Sequence, residues 1–150
     1  MSDLLSIARQ FAARPDDWPL APRFDPIERW YHRLATHDDH EVWLLTWLPG
    51  QGTDLHDHGG SAGAFTVVSG VLTEWVAAQA GDRVRLLQNN FGPGTGHRFG
   101  AHHIHQVTNA GDRPAVSVHV YGPVLRTMNR YRVDGARLTL AAVDRAGAAW

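Results

Sequence analysis

His56 and His58, one residue apart, are the first residues along this chain whose types and spacing could do chemistry. On an extended backbone, side chains at i and i+2 point to the same face with Cα atoms about 6.5–7 Å apart, so two imidazoles can converge on one metal ion. The plainer alternative is a pair of surface histidines beside a turn. A second group, His102, His103 and His105, lies downstream. On a strand His103 and His105 share a face while His102 takes the other, so parity leaves two candidates for a further ligand. Ser117, His119 and Tyr121 alternate at i, i+2 and i+4 and so line one strand face, as a hydroxyl–imidazole relay requires. The chain has no cysteine. Any metal must therefore be held by imidazole, carboxylate or carbonyl, and disulfides, zinc–thiolate sites, iron–sulfur clusters and a cysteine nucleophile are excluded.

Short elements at regular spacing must position these groups. Leu4, Leu5, Ala8, Phe11 and Ala12 recur at helical intervals, which predicts an amphipathic helix over 3–13 with Ser2 as its cap. Pro15, Pro19, Pro22 and Pro26 then punctuate a connection. Beyond Pro26 the period becomes two, with strands expected at 28–35, 40–48, 64–68, 72–77, 83–88, 103–108 and 115–121. Turn signals such as Pro49-Gly50, Gly59-Gly60, Ser69-Gly70 and Gly92-Pro93-Gly94 separate them. The tail after Arg137 reads as a last strand or a short helix. Seven or more short strands describe an all-β sandwich or closed barrel. We expect one domain over 1–150, with a helical extension over about 1–26 and the barrel over about 27–140.

Composition supports a folded chain: 150 residues, 43% hydrophobic, net charge −1. Near-neutral charge argues against nucleic acid as a partner, and the absence of any long apolar run argues against a membrane. Asp3 and the lack of an apolar core near the N-terminus do not suit a secretory signal, so a cytoplasmic location is expected by elimination. The oligomeric state is left open, a monomer included.

The run around the first histidines, G-x5-H-x-H-x4-G-x6-G from Gly50 to Gly70, resembles the first cupin motif, except that Gly63 stands where that motif has a Glu ligand. His105 with Asn109 resembles the end of the second cupin motif. The segment from His105 through Arg113, Ser117, His119 and Tyr121 is similar to the metal-ligand and Ser-His-Tyr segments of the cysteine dioxygenase family, and Tyr31-His32-Arg33-Leu34 looks like that family's carboxylate-binding strand. The resemblance covers about residues 28–130. It implies a cupin jelly-roll β-barrel and Fe(II) held by His56, His58 and His105. It also implies a small thiol, L-cysteine, and O2 as reactants, with cysteine sulfinate as product. Arg33, assisted by Tyr31, would hold the substrate carboxylate, with Arg29 and His32 as neighbouring alternatives, and Arg33 favours L-cysteine over 3-mercaptopropionate. Tyr121 would act beside sulfur and oxygen, oriented by His119 and Ser117.

Mammalian members carry a cysteine–tyrosine crosslink, but Gly63 stands at the cysteine's place, so Tyr121 is a free phenol here. Three neutral imidazoles leave a divalent cation its full charge, which favours an anionic sulfur ligand. Two alternatives keep the fold: a dioxygenase of 3-mercaptopropionate or another small thiol, and a non-catalytic cupin that binds a metal or small ligand. Trp30, Trp43, Trp47 and Trp75 are expected in packing, and Asp57 is expected to face away from the metal.

Overall fold

The computed structural model describes residues 3–145. Helix α1 spans Leu4–Ala12 and is followed by a 3-10 turn over Pro15–Asp17. Eleven strands follow among the described residues: β1 Tyr31–Thr36, β2 Glu41–Trp47, β3 Leu55–His56, β4 Ala62–Ser69, β5 Leu72–Ala80, β6 Arg83–Phe91, β7 Gly96–Phe99, β8 His105–Thr108, β9 Ala115–Gly122, β10 Thr127–Asp134 and β11 Arg137–Arg145. They form a five-stranded sheet in the order β1-β2-β9-β4-β7 and a six-stranded sheet in the order β11-β10-β3-β8-β5-β6. All pairings are antiparallel. This is a cupin jelly roll, as expected.

Strand parity explains how the five-stranded sheet buries both faces. On β9, Val116, Val118 and Val120 point to one side, where they join Val42 and Leu44 of β2 and the helix residues Leu4, Ile7, Ala8 and Phe11. The odd positions point to the other side. There Tyr121 joins Leu45, Trp47, Phe65, Phe99, Val107 and Met128 in the core between the sheets. The helix thus covers the sheet's outer face, and β2 and β9 are buried along nearly their whole length because neither side meets water.

Several boundaries differ from expectation. Asp3 caps the helix, its Oδ1 accepting from the Leu5 amide at 3.1 Å. The expected cap, Ser2, lies outside the described residues. The tail forms strand β11, paired along β10, rather than a helix. Strands β3, β7 and β10 are additions to the expected set. β3 has two residues and β7 four, too short to show a period.

Gly63 on β4 pairs with Phe99 on one side and Tyr121 on the other. A Cβ there would lie 2.5 Å from the Phe99 ring and 3.0 Å from Tyr121. Phe99 fills the space that a longer residue at this position would need. Gly63→Ala is expected to destabilise the protein by about 1–3 kcal/mol through overpacking, seen as a lower urea midpoint with an unchanged slope.

Candidate active site

The histidine pair sits where β3 crosses the middle of the six-stranded sheet. His56 is its last residue and pairs directly with His105, the first residue of β8. His58 follows in the connection to β4. The three rings are mutually edge-on, with centroids 4.7–4.9 Å apart. One nitrogen from each lies within 4.8 Å of the others, and all three side chains are buried. Asp57, between the two histidines, turns away as expected: it accepts from the Asn129 side chain at 3.0 Å and from the Tyr131 hydroxyl at 2.7 Å, tying this turn to β10.

Two of the three ligand candidates have their tautomer set from behind. His56 Nδ1 donates to the Asp54 carbonyl at 2.8 Å, and His105 Nδ1 donates to Glu74 Oε2 at 2.7 Å. Both rings therefore leave Nε2 unprotonated. Both nitrogens of His58 are buried without a hydrogen-bond partner. A buried polar atom left unpaired is costly, and a cation among three converging imidazoles resolves that cost for the one His58 nitrogen that faces it. Burial, reinforced by the neighbouring histidines, holds the pKa values of His56 and His58 well below the usual 6.5. Burial also lowers His105 against the opposing pull of Glu74. Neutral imidazole is the ligating form, so the donor set fits a divalent transition metal.

Glu74 is a site residue that the sequence reading misses. It lies on β5, is 1% exposed, and also takes hydrogen bonds from His97 at 2.6 Å and His103 at 3.3 Å. Burial opposes its charge, but bonds from His103, His105 and His97 outweigh it and hold the carboxyl well below the carboxylate range. The available signal is a lone acid inside an otherwise uncharged strand, Leu72–Ala80.

Across the core, β9 presents the second constellation. Trp47 Nε1 donates to Ser117 Oγ at 2.9 Å, Ser117 Oγ lies 2.8 Å from His119 Nε2, and His119 Nδ1 lies 3.4 Å from the Tyr121 hydroxyl. The Tyr121 ring stacks on His58 at 5.0 Å. Burial, with His105 and Arg29 nearby, lowers the His119 pKa to about 3. Burial raises that of Tyr121 despite Arg29, so the phenol keeps its proton.

A pocket opens onto these groups, lined by His56, His105, His119 and Tyr121 with Arg29 and Arg130. Arg33 does not line it. The Arg33 side chain is 52% exposed, lies over Trp43 at 5.8 Å and approaches the buried Glu41 at 3.9 Å. Its cation lies beside Glu41 at the sheet edge, whereas Arg29, just before β1 and one of the neighbouring alternatives, lines the pocket. Arg29 lies over Trp47 at 5.3 Å, and its Nη1 is buried without a hydrogen-bond partner. Burial, then Arg130, lowers its pKa to about 10, which leaves it charged at neutral pH. Tyr31 is also outside the lining; it packs edge-on against Trp43 at 5.9 Å.

These shifts carry a pH consequence. The folded protein keeps His56, His58, His105 and His119 neutral where the unfolded chain protonates them near 6.5, so the unfolded state binds more protons below that pH. Their contribution to stability is complete above about 6.5 and is lost as pH falls below it, for His119 down to about 3, by up to about 1.4 kcal/mol per pH unit for each imidazole. Melting of the metal-free protein is expected to show this loss between pH 6.5 and 4, and a flat profile there would contradict it.

Comparison with known proteins places the geometry in a family context. The family model described as cysteine dioxygenase type I matches residues 1–134. Cysteine dioxygenase type 1 of Homo sapiens is 23% identical over 141 residues, covering 87% of this chain and 69% of the relative. The protein of that name from Danio rerio is 24% identical over 142 residues, with the same coverages. Among solved structures, a protein from Thermus thermophilus superposes with a TM-score of 0.59 at 22% identity, over 69% of this chain and 90% of that one. A cupin superfamily protein from Desulfitobacterium hafniense superposes with a TM-score of 0.54 at 14% identity, over 66% and 81%. These structural likenesses speak to the fold.

Proposed function

The chain belongs to the cysteine dioxygenase type I family, and on that premise we propose that it is a mononuclear non-haem iron dioxygenase that adds both atoms of O2 to the sulfur of a small thiol carboxylate, L-cysteine first, giving the sulfinate. The observation that carries this reading is His58, whose two buried nitrogens lack any partner in the middle of a three-imidazole cluster. His56, His58 and His105 would hold Fe(II). When bound, the iron supplies the redox chemistry that joins oxygen to sulfur.

The remaining work falls to the chain itself. Arg29 offers a buried, charged guanidinium with an unpaired Nη1, suited to bind the substrate carboxylate and fix the distance of its thiol from the imidazoles. Glu74 holds His105 in one tautomer and one orientation. Tyr121 keeps its proton and offers a hydroxyl beside His58, while Ser117 and His119 hold that hydroxyl in place. Leu45, Val107 and Met128 make the pocket wall apolar and exclude water.

One observation favours a second substrate. The pocket is lined by two arginines and by no carboxylate, so nothing in its lining pairs with an α-ammonium. 3-Mercaptopropionate, which has the carboxylate and thiol but no amine, satisfies that lining without an unpaired charge.

The test is oxygen consumption by anaerobically iron-loaded protein with L-cysteine, 3-mercaptopropionate and cysteamine, using isotopically labelled dioxygen. Uptake with a thiol carboxylate, two labelled oxygens in the sulfinate and little response to cysteamine is the expected result. Preference for 3-mercaptopropionate would keep the chemistry and change the substrate. No uptake with any thiol by iron-replete protein would overturn the reading in favour of a binding cupin.

A further inference from the structure

Three histidines of this chain surround Glu74, and only His105 belongs to the cluster just described. The other two, His97 on β7 and His103 in the turn before β8, place Nε2 atoms 2.6 Å and 3.3 Å from the carboxylate oxygens. One donor atom from each of Glu74, His97 and His103 lies within 4.8 Å of the other two. We propose that these three residues form a second divalent transition-metal site, behind the first.

The donor chemistry is mixed imidazole and carboxylate, which suits zinc and its neighbours, not calcium or magnesium. Zinc bonds of about 2.0–2.2 Å separate neighbouring donors by roughly 3.3–3.6 Å, so the three groups need move by only about an ångström or less to enclose an ion. Glu74 has an oxygen for each role: Oε1 faces His97 and is available to the ion, while Oε2 keeps the hydrogen bond from His105 and releases His103 to turn its Nε2 to the ion.

The surroundings hold the rings in place. His97 stacks on Phe91 with an interplanar angle of 8°, His103 stacks on Phe99 at 4.6 Å, and the two histidine rings meet edge to face at 5.7 Å. Access is from solvent rather than through the pocket, since the His97 side chain is 31% exposed and the His103 side chain 13%. The buried carboxylate is met by three histidine nitrogens, and a cation would neutralise its charge directly. The two sites share one carboxylate, so filling the second draws charge away from the group that orients His105.

Equilibrium zinc binding to the full-length metal-free protein, counted by mass spectrometry under native conditions, tests the proposal without reference to catalysis. Wild type is expected to bind one more zinc equivalent than His97→Gln, whose amide can still donate to Glu74 but replaces the imidazole ligand. His58→Ala is expected to lose a different single equivalent. If His97→Gln folds poorly, His103→Gln is read in the same way, and circular dichroism reports folding for each variant. Equal zinc counts for wild type and a folded His97→Gln or His103→Gln variant would overturn the second site. Loss of an equivalent in those variants with none lost in His58→Ala would keep the second site and instead overturn the three-imidazole centre.

Discussion

His105→Ala is expected to lower both bound iron and oxygen uptake by about 100-fold or more. Three neutral imidazoles have no charge with which to hold a cation, so removing one leaves two nitrogens and an uncompensated hole. The change also removes the Nδ1–H that Glu74 Oε2 accepts at 2.7 Å. Even outer partners of metal ligands typically contribute 10–100-fold, and a ligand contributes more. His105→Asn keeps a donor for Glu74 and so separates loss of the ligand from disturbance of that carboxylate. Both variants should lose iron, while only the alanine protein should also melt markedly earlier. An alanine variant that is iron-replete and active would remove His105 from the centre.

Arg29→Met is expected to raise the KM for a thiol carboxylate by about 30-fold or more, corresponding to at least about 2 kcal/mol for a buried charged hydrogen-bond partner. Methionine keeps much of the apolar stem that packs on Trp47 and removes the guanidinium. Any residual oxidation of cysteamine, which has no carboxylate, should be unchanged. Arg33→Gln should alter KM by less than about twofold, because its side chain lies outside the pocket lining, beside Glu41. The reverse pattern, a large effect at Arg33 and a small one at Arg29, would return the anchor to the strand position first expected from sequence.

The contrast between those arginines shows what was legible in the chain. Alternation on β9 was plain because a half-polar, half-valine strand has only one way to face a core: Val116, Val118 and Val120 beneath the helix, Ser117, His119 and Tyr121 inward. The His56–His58 pair was legible for the same reason. Arg29 was harder to read because it precedes β1 in irregular chain, where parity has no meaning and only tertiary packing against Trp47 sets direction. Arg33 shares the parity of Tyr31 but sits on an edge strand, beside a bulge that shifts the register between Arg33 and Ala35, and its side chain lies outside the pocket lining. Glu74 is brought to His105 by the pairing of β5 with β8, a contact between residues 31 positions apart that no local pattern encodes.

Trp47 has one more consequence. An indole N–H can only give a hydrogen. Its bond fills one of the two acceptor positions on Ser117 Oγ; when the serine turns its own hydrogen to His119 Nε2, the neutral imidazole carries its hydrogen on Nδ1, the nitrogen facing Tyr121. The tyrosine oxygen becomes the receiving end of this line, and its hydrogen is directed to an acceptor other than His119. A buried core residue thus biases the direction of the whole line. Trp47→Phe would remove that bias while leaving every member of the Ser-His-Tyr set in the chain, so the serine hydroxyl could turn either way and the phenol would be as free to give to His119 as to the molecule in front of it.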